Sequence, residues 1–333
     1  MRQTAAALVG IGLLIFSNHA QAQSRITIKF SHVVTPDTPK GKGAEKFKEL
    51  AEKYSGGVVD VQLYPNSSLY KDKEELEALQ LGAVQMLAPA NSKLGPIGLK
   101  EFEVFDLPFI IPDVATLRKI TDGTIGQQLL KLFEAKGMVG LAFWDNGFKQ
   151  MSANKPLHRP SDYKGVKFRN QSSKVLEAQF RALGAIPQMM GFAEVYQALQ
   201  TGVVDGQENT WSNIRTQKLY EVQRFITETN HGYTGYVVVV NKQFWEGLPS
   251  PVRADLERAI REATAYTNSI AAKENDDAKA EIVRSGKTVV LSATAEELAE
   301  MRKSVAPIYN EMGKRVGKQL IDDVIRTVSS STN

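Results

Sequence analysis

The residues best suited to chemistry lie between Lys164 and Asn209. Gly165-Val166-Lys167-Phe168-Arg169 reads as a short buried strand that delivers Arg169 at its end. A guanidinium offers a planar fork that matches a carboxylate bidentately, which lysine cannot do. Val203-Val204-Asp205-Gly206 reads as a turn, with Gly206 free to take positive φ, and it presents Glu208 and Asn209. The Asn209 amide can donate to a carboxylate oxygen or accept from a hydroxyl. An arginine at a strand end and an amide after a turn are two anion-recognition groups on fixed backbone. Alternatively, Arg169 caps a helix or bridges a surface acid, and Asn209 is plain turn chemistry.

Further candidates stand at element ends. His32 follows the first strand and Lys93 follows the third, and in open α/β sheets ligands bind outside such ends. Lys149 follows Asn146-Gly147 at the boundary between two sheet segments. Phe192 is placed either to stack on a ligand or to staple its helix to the core. Tyr236 opens a valine run and completes the ligand-facing set.

The chemistry that is absent bounds the function. The chain has no GxSxG elbow, Walker loop, HExxH, EF-hand loop or dinucleotide GxGxxG. His32, His158 and His231 are not spaced as metal ligands on one element, so neither a metal nor a cofactor is expected. Cysteine is absent, which excludes a disulfide scaffold, a thiol nucleophile and thiolate zinc. Glu74-Glu75 and Asp276-Asp277 sit in charged helical runs and read as solvated faces. The formal charge of +4 suits acidic small ligands, without the basic block that nucleic acid needs.

These residues must be held by a frame of two domains, the default for 333 residues. The first segment is an export leader: Arg2, an apolar core from Ala5 to Phe16, and a small-x-small site at Ala20-Gln21-Ala22, so the mature chain starts at Gln23. Ile26–Phe30, Val58–Tyr64 and Val84–Ala88 read as strands, with helices over Gly41–Tyr54 and Lys71–Leu81 between them. That order implies parallel strands joined by right-handed crossovers. Phe102–Ile111 reads as a buried connecting loop, and Ala115–Thr121 and Thr124–Lys136 as helices. Met138–Trp144 reads as a strand leaving the first lobe, Asn146-Gly147 as a turn, and Lys149–Ser152 as the start of a second sheet. Helices are expected over Ser172–Leu183 and Phe192–Gln200, and a strand over Phe225–Asn230. Tyr236–Val240 is a central strand covered on both faces. Pro251–Val283 is helical without an internal proline, long enough to span both lobes. Thr288–Leu291 is an edge strand, and Glu296–Met312 and Arg315–Val328 are closing helices. The expected fold is α/β and two-lobed, like a periplasmic binding protein, with a cleft between the lobes and a long helix spanning both. The expected parts are leader 1–22, lobe I 23–146 plus 235–274, and lobe II 147–234 plus 275–333. Several crossings between lobes favour a hinge over a loose tether.

Taken together, KFRNQSSKVLEAQFRALGAIPQMMGFAEVYQALQTGVVDGQEN, HGYTGYVVVVNKQFWEGLP and LYPNSSLYKDKEELEALQLGAVQM resemble the periplasmic solute receptors of TRAP transporters, the DctP type. The resemblance covers essentially the whole mature chain. It implies that Arg169 pairs with the ligand carboxylate, that Asn209 supports it, and that the lobes close on the ligand. It also implies membrane partners, a small and a large integral subunit driven by an ion gradient, and residence in the periplasm. FSHVVTPDTPKGKGAEKF and FRNQSSKVLEAQ look most like the C4-dicarboxylate branch, whose ligands include malate, succinate and fumarate. A second carboxylate needs a second cation or donor set, for which His32, Lys40, Lys42, Lys93 and Lys149 are available. Lys149 falls where sialic-acid receptors carry a second arginine, which argues against sialic acid. Thr210-Trp211 follows the asparagine where the family often has proline. The competing readings are a monocarboxylate receptor, for an aromatic or keto acid, and an exported enzyme acting on organic acids.

Overall fold

The computed structural model describes residues 25–330; the expected leader, 1–22, lies outside them. β1 (Ile26–Ser31), β2 (Val59–Tyr64) and β3 (Met86–Leu87) are parallel, with β1 in the middle. α1 (Pro39–Tyr54) and α2 (Glu75–Gln80) make the crossovers. α1 starts where Thr38 Oγ1 accepts from Gly41 N–H at 3.1 Å and Pro39 presets the first turn. The α2 pattern begins later than expected, because Lys71–Glu74 forms a turn that projects Asp72.

The Phe102–Ile111 segment is buried as expected, but Lys100–Asp106 within it is a 3₁₀ helix. α3 (Val114–Thr121) and α4 (Thr124–Lys131) follow. β4 then runs unbroken from Met138 to Ala153. The turn expected at Asn146-Gly147 is instead a register shift in this strand, between Asp145 and Gly147. The Asn-Gly pair therefore makes a bulge within a continuous strand and not the expected turn.

Beyond the bulge β4 belongs to a second sheet region. β5 (Lys167–Asn170), α5 (Lys174–Ala182), β6 (Ile186–Met189), α6 (Val195–Gln200), β7 (Gly206–Thr210), α7 (Trp211–Thr216) and β8 (Phe225–Glu228) form it. The strand path is β2-β1-β3-β9-β4-β7-β5-β6, where β9 (Tyr233–Asn241) is the fully buried valine strand. β4 pairs with β9 over its first part and with β7 and β8 at Lys149–Ala153, so it is common to both halves. After α8 (Lys242–Glu246) comes α9 (Ser250–Ser285), 36 residues and roughly 54 Å long. Its buried stripe, Val252, Leu256, Ala259, Ile260, Ala263, Thr267, Ala271, Asn275, Ala278 and Ile282, keeps helical spacing along the whole length. β10 (Val289–Ser292) pairs with β8. α10 (Ala295–Val305), α11 (Ile308–Met312) and α12 (Lys318–Ser329) close the chain, with a π-helical turn at Gly313–Gly317. The fold is thus α/β and two-lobed, with the long helix packed on α1 of one half and α7 of the other.

The crossing point is polar. Asn146 donates from Nδ2 to the Tyr236 hydroxyl at 2.7 Å and accepts at Oδ1 from Ser212 Oγ at 2.6 Å. Its carbonyl accepts from Asn275 Nδ2 at 2.7 Å, while Asn275 Oδ1 accepts from Ser212 N–H at 3.0 Å. One side chain on each of β4, β9, α7 and α9 is satisfied by the others.

Candidate ligand-binding site

Strand register decides which polar groups share a face. Arg169 of β5 pairs with Gln207 of β7, so Arg169, Gln207 and Asn209 point the same way. Lys149 of β4 pairs with Thr210, so Lys149 and Glu208 point the other way. Asn209 therefore does not sit in a turn as expected; it is the fourth residue of a buried strand. Nor does Gly206 take positive φ. It is needed for closeness: a Cβ there would stand 2.6 Å from Ser152 O and 2.8 Å from the Phe168 ring.

Arg169 is 1% exposed. Its Nε and Nη2 donate to the Met190 carbonyl at 3.2 and 3.0 Å. Among the described residues no carboxylate forms an ion pair with it. Burial pushes its pKa down to about 10, against the more distant pull of Glu208 and Glu194. A buried cation without a counter-charge is costly, by several kcal/mol in ordinary cases, so the site calls for an anion. Asn209 Oδ1 accepts from Asn213 Nδ2 at 2.9 Å and Thr210 N–H at 3.1 Å, which leaves its Nδ2 as a donor on the Arg169 face.

The opposite face holds a closed network. Lys149 Nζ donates to Glu208 Oε1 at 2.6 Å. Glu208 Oε2 accepts from His231 Nε2 at 2.7 Å, and Gln179 Nε2 lies at 3.4 Å. Burial opposes ionisation of Glu208, but Lys149 and His231 together bring its pKa down to about 2. Burial lowers the His231 pKa and keeps the ring neutral. Since ionised Glu208 can only accept, Nε2 carries the His231 proton, and Nδ1 accepts from Thr229 Oγ1 at 2.7 Å. Lys149 is thus neutralised within the protein, and Glu208 and His231 are the partners that sequence reading missed. The available signal was alternation: Glu208 and Asn209 are adjacent in a strand and must face apart.

The other half supplies loops after β1 and β3. His32 is 2% exposed, its pKa pushed to about 3 by burial and by the Lys40 charge, and its Nδ1 has no partner. Ser31 Oγ at the end of β1, Asn91 Oδ1 and Ser92 Oγ in the 3₁₀ turn after β3, and Asn213 Oδ1 beyond β7 are buried and unpartnered. Such atoms need an explanation in a folded protein. Lys40 Nζ donates to Ala88 O at 2.9 Å and stands 3.9 Å from the Tyr236 ring centre. Burial brings Lys40 down to about 8, with Glu75 opposing, and raises Glu75 to about 7, with Lys40 opposing. Lys93 contacts the Asp72 carboxylate and lies 3.6 Å from Glu75. Burial and the charges of Lys40 and Arg169 all lower its pKa, so the three cations share one field across the cleft.

The structure therefore puts Asn209 on the face of Arg169, and brings Lys93 within the field of both Arg169 and Lys40 and His32 within that of Lys40. Tyr236 lies between Lys40 and the hinge residue Asn146. Phe192 packs in an apolar cluster with Val33, Val34, Val195 and Trp211, and its N–H donates to Asp72. Lys149 stands on the reverse face. Asp72, for which the sequence suggests no role, and Glu75, expected on a solvated face but buried at 1% exposure, are the counter-charges of the Lys93 wall.

Residues 30–315 match the DctP family, described as bacterial extracellular solute-binding protein, family 7. The C4-dicarboxylate-binding periplasmic protein DctP of Rhodobacter capsulatus is 59% identical over 321 residues, covering 96% of each chain. A TRAP periplasmic solute-binding protein from Shewanella oneidensis, solved with bound succinate, is 44% identical with a TM-score of 0.89, covering 91% of this chain and 99% of that one. One from Pseudomonas aeruginosa, solved with bound L-malate, is 45% identical with a TM-score of 0.84, covering 86% and 99%. The chain belongs to the DctP family of TRAP solute-binding proteins.

Proposed function

We propose that this protein is a periplasmic receptor that captures a C4-dicarboxylate such as malate, succinate or fumarate by cleft closure and delivers it to a TRAP-type transporter. The observation that carries this reading is the Arg169 guanidinium, buried with no carboxylate of its own among the described residues. Arg169 holds one ligand carboxylate through its fork, and Asn209 donates to it from Nδ2. The second carboxylate takes Lys93, with Lys40 and His32, whose Nδ1 is unpartnered, on the same side. Phe192 and Tyr236 shape the pocket, and Lys149 holds β7 in register through Glu208. The names of the Rhodobacter relative and the succinate- and malate-bound neighbours support the substrate class. Export through a cleaved leader at 1–22 and docking on two membrane subunits complete the reading. So do the lobe boundaries at 146/147, 234/235 and 274/275, where the bulge and the Asn146–Asn275 contact lie.

Thermal unfolding of the refolded mature protein against a panel of acids tests this. A ligand at about 100 times its Kd adds roughly 2.7 kcal/mol to a folded state it binds exclusively. Shifts with succinate and malate but not butyrate are expected. Shifts with monocarboxylates alone would move the substrate class, and conversion of any acid to product would favour the enzyme reading.

A further inference from the structure

Two segments from opposite halves of the molecule meet at Asp72. The turn before α2 carries Asp72, and the segment leading into α6 carries Gly191 and Phe192. One carboxylate oxygen of Asp72 contacts Lys93 Nζ and the other accepts the Phe192 N–H. The carboxylate is only 7% exposed, and Lys93 only 6%. At Gly191 a Cβ would stand 3.4 Å from Asp72 Oδ2, in ordinary van der Waals contact, so a branched side chain larger than alanine is needed to crowd this oxygen. The seam around it encloses about 150 Å³ between residues 71–74 and 191–194. Ion pairs also join the halves: Asp37 with Arg215, where Asp37 is 58% exposed and the pair contributes little, and Arg315 with the buried Glu103, away from this seam.

The two oxygens of Asp72 do different things. Lys93 lies in the field of Arg169, on the wall assigned above to the second carboxylate. Phe192 N–H belongs to the opposite half and is wetted once the halves part. Burying a carboxylate to 7% exposure is costly unless both oxygens are satisfied. Lys93 satisfies one oxygen from the same half; only closure satisfies the other. The contact with Phe192 therefore exists in the closed arrangement alone, and it begins one residue pair away from a binding cation.

We propose that Asp72 is the latch of the closed state, a positioning residue that ties Lys93 on the binding wall to the backbone of the opposing half and so governs ligand escape. This rests on the reading that the halves close around a carboxylate ligand. Because binding to the open form precedes latching, loss of the latch speeds dissociation and leaves association alone.

The test measures succinate and L-malate binding by stopped-flow fluorescence in the full mature chain. It adds the distance between spin labels at Lys53→Cys and Arg181→Cys, which are specific because the chain has no cysteine of its own. Asp72→Ala is expected to raise the dissociation rate about tenfold or more, with the association rate within about twofold. At saturating succinate it should also leave part of the population at the longer, open distance. Asp72→Asn keeps an acceptor for Phe192 N–H and should fall between. Gly191→Val crowds the same oxygen from the other half without touching Lys93, and should add nothing in combination with Asp72→Ala. These two variants carry the test if Asp72→Ala does not fold. Wild-type dissociation rates and closed distances in all three variants would overturn the latch, and so would a loss confined to association. A wild type that binds neither acid would overturn the closure reading and the latch with it; a wild type that binds while the variants match it would overturn the latch alone.

Discussion

At Arg169 the energetics favour a ligand over any partner within the chain. The guanidinium is buried, holds only the Met190 carbonyl, and is charged at any physiological pH. Arg169→Lys keeps the charge and loses the fork, so calorimetry should show succinate affinity falling about 10- to 100-fold. Unchanged affinity would remove Arg169 from the site. Glu208 behaves in the opposite way, because its partners are internal. Glu208→Gln removes the only carboxylate hydrogen-bonded to buried Lys149 among the described residues, leaving just the more distant Asp106, and should cost about 3–5 kcal/mol in urea unfolding. Asp106 is buried with Oδ2 unpartnered, and burial raises its pKa to about 7. A carboxyl raised in this way weakens the fold above pH 7, where it must ionise, and the cost fades as pH falls toward its unfolded value near 4. Asp106→Asn should therefore raise the unfolding midpoint most at pH 8, clearly less at pH 5, and hardly at all below pH 4. Arg169, Asn209 and Lys93 stand out as candidates in the sequence because few side chains can hold a carboxylate. That Lys149 spends its charge on Glu208 was not, because an ion pair 59 residues apart in sequence depends on which face each strand presents.

Among elements, β4 and β7 set the site. Alternation in β7 sends Asn209 toward Arg169 and Glu208 away, so a one-residue slip would exchange them. Gly206 fixes that register by close approach to Ser152 O and the Phe168 ring. Gly206→Ala should destabilise by about 1–3 kcal/mol in urea unfolding, since one of the two obstacles is backbone and cannot turn away. The periodic elements were legible: α1, β9 and α9 carry clean helical or all-buried patterns, and their positions follow from composition alone. Breaks in pattern were less so. Asn146-Gly147 has the composition of a hairpin turn, yet the strand continues, because β9 pairs on both sides of the bulge and Asn275 of α9 satisfies the Asn146 carbonyl. Likewise Val203–Gly206 reads as a turn into Asn209, whereas β7 has already begun at Gly206. Tertiary partners, which lie far away in sequence, decide both cases.

At the scale of the molecule, one strand shared by two sheet regions, one helix of roughly 54 Å along both halves and a polar hub at Asn146 make a hinge with few degrees of freedom. Arg169 on one half, which has no carboxylate among the described residues, lies in the field of Lys93 on the other; Asp72 and Glu75 offset only the Lys40–Lys93 side, so an anion beside Arg169 favours the approach of the halves. Closure and binding are then one equilibrium, and a dianion shifts it further than a monoanion of the same size. The most direct test of that claim is calorimetric titration of the unfolded-and-refolded, ligand-free protein with succinate and with butyrate. One succinate per chain, bound at least about 100-fold more tightly than butyrate, is the result expected when two carboxylates meet cations on both walls. Equal affinity for the two acids, or heat from neither, would contradict it.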